Sequence, residues 1–217
     1  RDTDRSRGLG DVYKRQEQPE YNGTQLIHSK VIASYLRQLL RNDLQYAPFR
    51  MEGMEQDVRE MMEIDTPQGK LALQIGGTID RLDSKGDTLR IVDYKTGGTP
   101  KTPENIEQLF TPADNRPNYI FQTFLYAAIL CRKQSLKVAP SLLYIHRAAS
   151  ESYSPVIEMG APRQPKVPVN NFAFFEDEFR ERLHGLLQEI FSQEETFSQT
   201  EDTRKCEYCD FRSLCKR

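Results

Sequence analysis

No stretch of this 217-residue sequence stays apolar for the roughly 18 residues that a membrane-spanning helix needs, so no such helix is expected. No secretory signal is visible either, and a cytoplasmic location is the expectation. An excess of one charge is also missing: 30 Lys and Arg against 32 Asp and Glu leave a net charge of −2. There is thus no global basic surface of the kind that binds nucleic acid without specificity, and any basic groove must be local. That weighs mildly against a simple DNA-binding module and hardly at all against an acidic site that meets nucleic acid through a metal ion. Cysteine is scarce, with four residues, which excludes a dense disulfide framework. With 37% hydrophobic residues the chain can still bury a core. Residues 1–19 are charged and poor in apolar side chains. We read them as a disordered or non-native tail, residues 20–217 as one domain, and the whole as a fragment of a longer protein.

The most informative stretch is residues 76–98, GGTIDRLDSKGDTLRIVDYKTGG. Apolar Leu71, Leu73 and Ile75 alternate into it, which predicts a strand over residues 71–83. Residues 84–87 are polar with a glycine and predict a turn. A second strand is expected over residues 89–95. Successive strand side chains alternate faces, so Asp93 and Lys95 share one. In a hairpin, Asp80 lies beside them, giving two carboxylates and one ammonium in a small area. Two readings stand at this point. Asp93 and Lys95 two apart on a strand make an ordinary surface salt bridge. Alternatively, the carboxylates bind Mg²⁺ or Mn²⁺ with room for water and a phosphate oxygen, the metal lowers the pKa of water, and the lysine holds the nucleophile or the phosphate. A Walker-type phosphate loop is excluded, because Tyr94 precedes Lys95 where that loop needs glycine.

At these residues the sequence resembles a known family. G-x-x-D-R-x-D at residues 77–83, followed by V-D-Y-K-T-G at residues 92–97, resembles the nuclease core of the PD-(D/E)XK superfamily, in its RecB/AddB-like branch. The resemblance implies that Asp80 and Asp93 are acidic metal ligands, that the peptide carbonyl of Tyr94 is a further ligand, and that Lys95 is the catalytic lysine. It implies an α/β fold with a central mixed sheet flanked by helices, a restriction-endonuclease-like core.

Elsewhere along the chain, apolar spacing predicts a helix from Thr24, a cap candidate, to about residue 41. His28 on this helix loosely echoes a family metal-binding histidine, and is otherwise a surface or packing residue. Residues 49–64 look extended after the break at Pro48. There Glu55 matches a family glutamate that faces the site, with an exposed glutamate as the plain alternative. A turn at residues 66–69 leads into the hairpin. Residues 99–117 contain four prolines and are expected as a long loop: a lid, a DNA-contacting element or a mobile segment. Residues 118–132 form a strong helix with Gln122 and Tyr126 four apart on one face. Q-x-x-x-Y after the core hairpin is also a family motif, and the resemblance implies that both border the active site. There Gln122 can hydrogen-bond a phosphate or a water, and Tyr126 can position the strand or stack on a base. A strand over residues 140–147 ending near a structural His146, an edge strand over residues 152–159 paired with it, a loop over residues 160–169 and an amphipathic helix over residues 175–191 complete the chain.

Cys206, Cys209 and Cys215 cluster as C-x₂-C-x₅-C in the last twelve residues. Thiolate ligation of a metal is a better reading than a disulfide, and three thiolates need a fourth ligand for tetrahedral Zn²⁺ or for a [4Fe–4S] cluster. The resemblance favours the cluster over zinc, with its fourth cysteine upstream of the core. Cys131, inside the Q-x-x-x-Y helix, is a poor candidate for that ligand. The expected function is Mg²⁺- or Mn²⁺-dependent hydrolysis of DNA, at single-stranded ends produced by a helicase subunit or domain, in double-strand-break repair. An inactive nuclease fold that binds DNA or stabilises a subunit, and a zinc-binding interaction module, are the other classes.

Overall fold

The computed structural model describes residues 22–113, 115–150, 152–191, 198–200 and 203–216; the expected tail, residues 1–19, lies outside these. The first element, α1, spans Gly23–Tyr46. Its cap is Asn22 rather than the expected Thr24, because Asn22 and Gln25 satisfy each other's backbone N–H groups reciprocally, both at 2.9 Å. The helix outruns its expected end near residue 41 and stops before the Ala47–Pro48 step.

A long hairpin follows, β1 (Arg50–Thr66) and β2 (Gly69–Lys85), antiparallel along its length. β2 turns at Gly86–Asp87 into β3 (Thr88–Lys95), so the strand runs two residues beyond its expected end and the turn is tighter. Between β3 and the next strand lie the prolyl loop and α2 (Asn118–Cys131). β4 (Lys137–Tyr144) then pairs parallel with β3, from Thr88 with Lys137 to Lys95 with Tyr144. Parallel pairing requires a crossover, and α2 supplies it. The sheet order β1-β2-β3-β4 is therefore mixed.

Helices cover both faces. On one, Ile91, Leu82 and Val138 of the sheet pack with Phe124 and Ala127 of α2 and with Phe179 and Leu183 of α3 (Ala173–Phe191). Rings of Phe110, Phe121, Phe124, Phe172 and Phe179 interlock there at centroid distances of 4.9–6.2 Å. On the other face Val92 and Leu143 meet Tyr35 and Leu39 of α1. The chain is thus α/β, a mixed four-stranded sheet between helices, as expected.

Three local expectations fail. The loop at residues 99–117 is not a free lid: Ile106 and Leu109 are completely buried and Glu107–Leu109 forms a 3₁₀ turn, so the loop is pinned to the core. β4 ends at Tyr144, and His146 sits in the 3₁₀ turn Ile145–Arg147 rather than on a strand. Residues 152–159 add no edge strand to β4. Their ladder contact with it is a single bridge, Ser141 to Val156, beside which the Tyr153 hydroxyl accepts from the Tyr144 N–H and donates to the Leu142 carbonyl, while Glu158–Met159 (β5) pairs instead with Val167–Pro168 (β6) in the segment expected to be a loop.

Candidate active site

The site forms where the core hairpin opens. The β2–β3 ladder ends at Arg81–Val92, and one step further Asp80 and Asp93 stand across from each other as the strands part. The backbone N–H of Tyr94 donates to Asp80 Oδ2 at 2.7 Å, so a side-chain carboxylate replaces the missing strand partner and is fixed beside Asp93. The pairs Met54–Arg81 and Gln56–Ile79 bracket Asp80 and, on β1, Glu55. Glu55 has φ +48°, a left-handed conformation uncommon outside glycine, at the point where the regular alternation breaks: Ile79 and Leu82, three apart, reach the same core. The Glu55 side chain is exposed.

Lys95 projects from the same face of β3 as Asp93, and its ammonium makes an ion pair with Asp93 Oδ2. The Lys95 Nζ lies 3.5 Å from Gln122 Oε1 and 4.3 Å from the centroid of the Tyr119 ring. Gln122 Nε2 in turn donates to the Tyr126 hydroxyl at 3.0 Å. That hydroxyl rests on Gly77, the glycine of G-x-x-D, where an added Cβ would stand 2.5 Å from it. The preceding Gly76, at φ +143°, passes so close to the Val58 carbonyl of β1 that a Cβ would collide with it at 2.0 Å. The two motifs, far apart in sequence, thus close into one ring of contacts through Asp80, Asp93, Lys95, Gln122, Tyr126 and Gly77. Tyr119 belongs to the same stripe of α2, one turn before Gln122. The sequence reading missed it, although its spacing of three from Gln122 was the available signal.

Burial raises the pKa of the Asp93 carboxyl. The Lys95 ammonium pulls it down, the Asp80 charge pushes it up, and burial wins. Asp93 Oδ2 is buried and receives no hydrogen bond among the described residues; its contact with Lys95 is an ion pair outside hydrogen-bond geometry. The sequence model of the PD-(D/E)XK nuclease superfamily matches residues 4–216. The chain belongs to the PD-(D/E)XK nuclease superfamily. No curated protein matches it. Nucleases of this superfamily typically use divalent metal ions, and the residues here fit one. Two carboxylates converge, one buried oxygen has the Lys95 ammonium as its ion-pair contact, and an all-oxygen donor set suits a hard cation such as Mg²⁺ or Mn²⁺. Among the described residues no three His, Cys, Asp or Glu side chains gather, so water and substrate oxygens would have to complete the shell, which Mg²⁺ tolerates.

The other motif residues divide by face. Arg81 and Asp83 of D-R-x-D point away from the site toward α1. There Asp83 is fully buried and accepts two bonds from Arg90 (2.9 and 2.7 Å) and one from Arg81 (2.9 Å). Arg81 continues to Asp43 of α1 at 2.8 Å and to the Tyr94 hydroxyl at 3.1 Å. The Tyr94 ring therefore faces away, and only its backbone faces the carboxylates. His28 is exposed on α1 and does not join the site. The Cys206, Cys209 and Cys215 thiols are free and lie on short turns, and they do not gather into a metal site among the described residues. Burial, helped by the charge of Glu176, pushes the Cys131 thiol up to about 11, so it stays protonated and is no ready fourth ligand.

Proposed function

We propose that this chain is a divalent-metal-dependent deoxyribonuclease of the RecB/AddB-like branch, with residues 20–217 as one nuclease domain acting on single-stranded DNA ends beside a helicase in double-strand-break repair. The supporting observation is the closed ring that places Asp80, Asp93, Lys95, Gln122 and Tyr126 around one point where the β2–β3 ladder opens. Asp80 and Asp93, with the Tyr94 carbonyl, would hold the cation. When bound, a divalent ion supplies Lewis-acid stabilisation of a phosphoryl oxygen and a more acidic water.

The chain's own residues perform the remaining work. Asp80 is held rigid by the Tyr94 amide. Asp93 has its charge raised in energy by burial, which favours any cation brought to it. Lys95 is tethered between Asp93 and Gln122 and presents one positive charge to the nucleophile or to the phosphate. Gln122 orients the lysine while the Tyr126 hydroxyl orients Gln122, so a phosphodiester entering the opening meets a pre-positioned cation. A [4Fe–4S] cluster or Zn²⁺ on Cys206, Cys209 and Cys215 belongs to the same branch assignment. Among the described residues those thiols do not converge, so they do not form the ligand set that either group needs.

The test is Lys95→Ala. This variant is expected to lose cleavage by at least about a hundredfold while keeping metal-dependent DNA binding. Near wild-type cleavage by Lys95→Ala would refute the assignment. A second reading is a catalytically silent nuclease fold that binds DNA, and the gathering of only two acidic side chains among the described residues favours it. Calorimetry with Mg²⁺ separates the two, since that reading requires no binding of the ion.

A further inference from the structure

Beyond the ring of polar contacts, Lys95 borders a second kind of surface. Two adjoining cavities, of about 340 and about 610 Å³, run past the C-terminal end of β4 and share Lys101, Ile120 and Tyr144 as walls. The smaller falls within the range of about 300–1,000 Å³ usual for small-ligand sites. It starts at Tyr119, whose ring lies under the Lys95 ammonium yet is 44% exposed. Across it stands the ring of Tyr144, buried and fixed edge-on against His146 at 6.1 Å. Gly98, the last glycine of the D-Y-K-T-G-G run, passes between the rings with φ +80°. A Cβ there would lie 3.4 Å from the Tyr119 ring and 3.9 Å from the Tyr144 ring, so the missing side chain keeps the gap open.

Charge accompanies the rings. Lys101 Nζ is held in the shared wall by the carbonyls of Asn115 and Arg116, at 2.7 and 3.2 Å. His146 and Arg147 line the larger cavity beyond. An exposed aromatic face such as that of Tyr119, with fixed cations beside it, is the recognition chemistry of an unpaired nucleobase and its phosphate. A base within a duplex has both faces stacked and its edge paired, and could enter only by being flipped out at a cost.

We propose that Tyr119 and Gly98, backed by the buried Tyr144 as a wall, form a slot in which one unpaired nucleobase stacks on Tyr119 next to the scissile phosphate, with Lys101 on the neighbouring backbone, so that the slot selects single-stranded DNA. The proposal rests on the nuclease reading, because the same strand passes Lys95 and then enters the slot. It is tested on the full chain in EDTA, by fluorescence anisotropy with a labelled oligothymidylate and with a duplex of equal length. Tyr119→Ala is expected to weaken single-strand binding about tenfold, the size expected for one lost base–aromatic stack. Tyr119→Phe should stay within about twofold of wild type, and duplex binding should change in neither. Tyr119 is exposed at the start of α2, so Tyr119→Ala should fold, and a melting curve checks this. Equal single-strand affinity of Tyr119→Ala and wild type overturns the slot, as does equal loss in Tyr119→Phe. Cleavage with Mg²⁺ is scored separately. Tyr119-dependent binding without any cleavage by wild type keeps the slot and sinks the nuclease reading, whereas cleavage with Tyr119-independent binding does the reverse.

Discussion

At the scale of single residues, Asp93 is the point of tension. Its carboxyl is buried, it faces Asp80, and its ion-pair partner among the described residues is Lys95. Because its pKa is raised by folding, the folded protein binds a proton there more tightly than the unfolded chain does. Its contribution to stability is therefore full below the unfolded carboxylate pKa and is lost as pH rises through the folded value. Asp93→Asn removes that penalty. In EDTA near neutral pH the variant is expected to melt a few degrees above wild type, with the gap closing in acid, and Mg²⁺ should raise the melting temperature of wild type alone. A lower melting temperature for Asp93→Asn in EDTA at neutral pH would contradict this account of the site. Residue identity carried the sequence reading furthest here: D-Y-K-T-G and Q-x-x-x-Y name side chains that the fold brings into contact. It carried less at Arg81 and Asp83, which share the motif with Asp80 but alternate onto the opposite face and pin α1. It carried least at Tyr119, because a tyrosine in an apolar helix looks like a packing residue until the cavity beside it is seen.

At the scale of elements, α3 is held to the sheet by a buried charge as much as by its phenylalanines. Arg180 donates to Glu60 of β1 at 3.0 and 2.9 Å, to Glu176 at 2.9 Å and to the Ala128 carbonyl of α2 at 2.5 Å. Removing it leaves Glu60 and Glu176, both mostly buried, with only the looser and more exposed Arg132 at 3.7 and 3.4 Å. Arg180→Ala is expected to cost about 3 kcal/mol in urea unfolding. By contrast Arg182→Ala, one turn-face away with exposed partners Glu178 and Glu107, should cost no more than about 0.5 kcal/mol. Equal small losses would show that Arg180 is no clamp. The three helices were legible because apolar spacing survives inside them, and the core hairpin because β2 and β3 alternate around a glycine turn. What composition hid were long-range decisions. Ile106 and Leu109 are two apolar side chains in a prolyl, polar loop, yet they pin it to the core. Residues 152–159 have the makings of an edge strand but form only one ladder bridge with β4, because the chain winds through Ile145–Arg147 before it can run alongside. The parallel pairing of β3 with β4 depends on a crossover whose course no local pattern fixes.

At the scale of the whole molecule, a net charge of −2 conceals an uneven distribution. Acidic Asp80 and Asp93 sit at the opening of the sheet, and Lys95, Lys101 and Arg147 line the way past it. The chain belongs to the PD-(D/E)XK superfamily, and its α/β sheet clad by helices on both faces brings two carboxylates together at the parting of β2 and β3, with α2 making the crossover from β3 to β4. The central claim is that this arrangement cuts DNA with a divalent ion held by Asp80 and Asp93. The most direct test is cleavage of end-labelled single-stranded DNA by the purified chain with Mg²⁺ or Mn²⁺, run beside Asp93→Asn and an EDTA control. The account predicts metal-dependent products from wild type that vanish in the variant and in EDTA. Undiminished cleavage by Asp93→Asn, or cleavage that persists in EDTA, would contradict it.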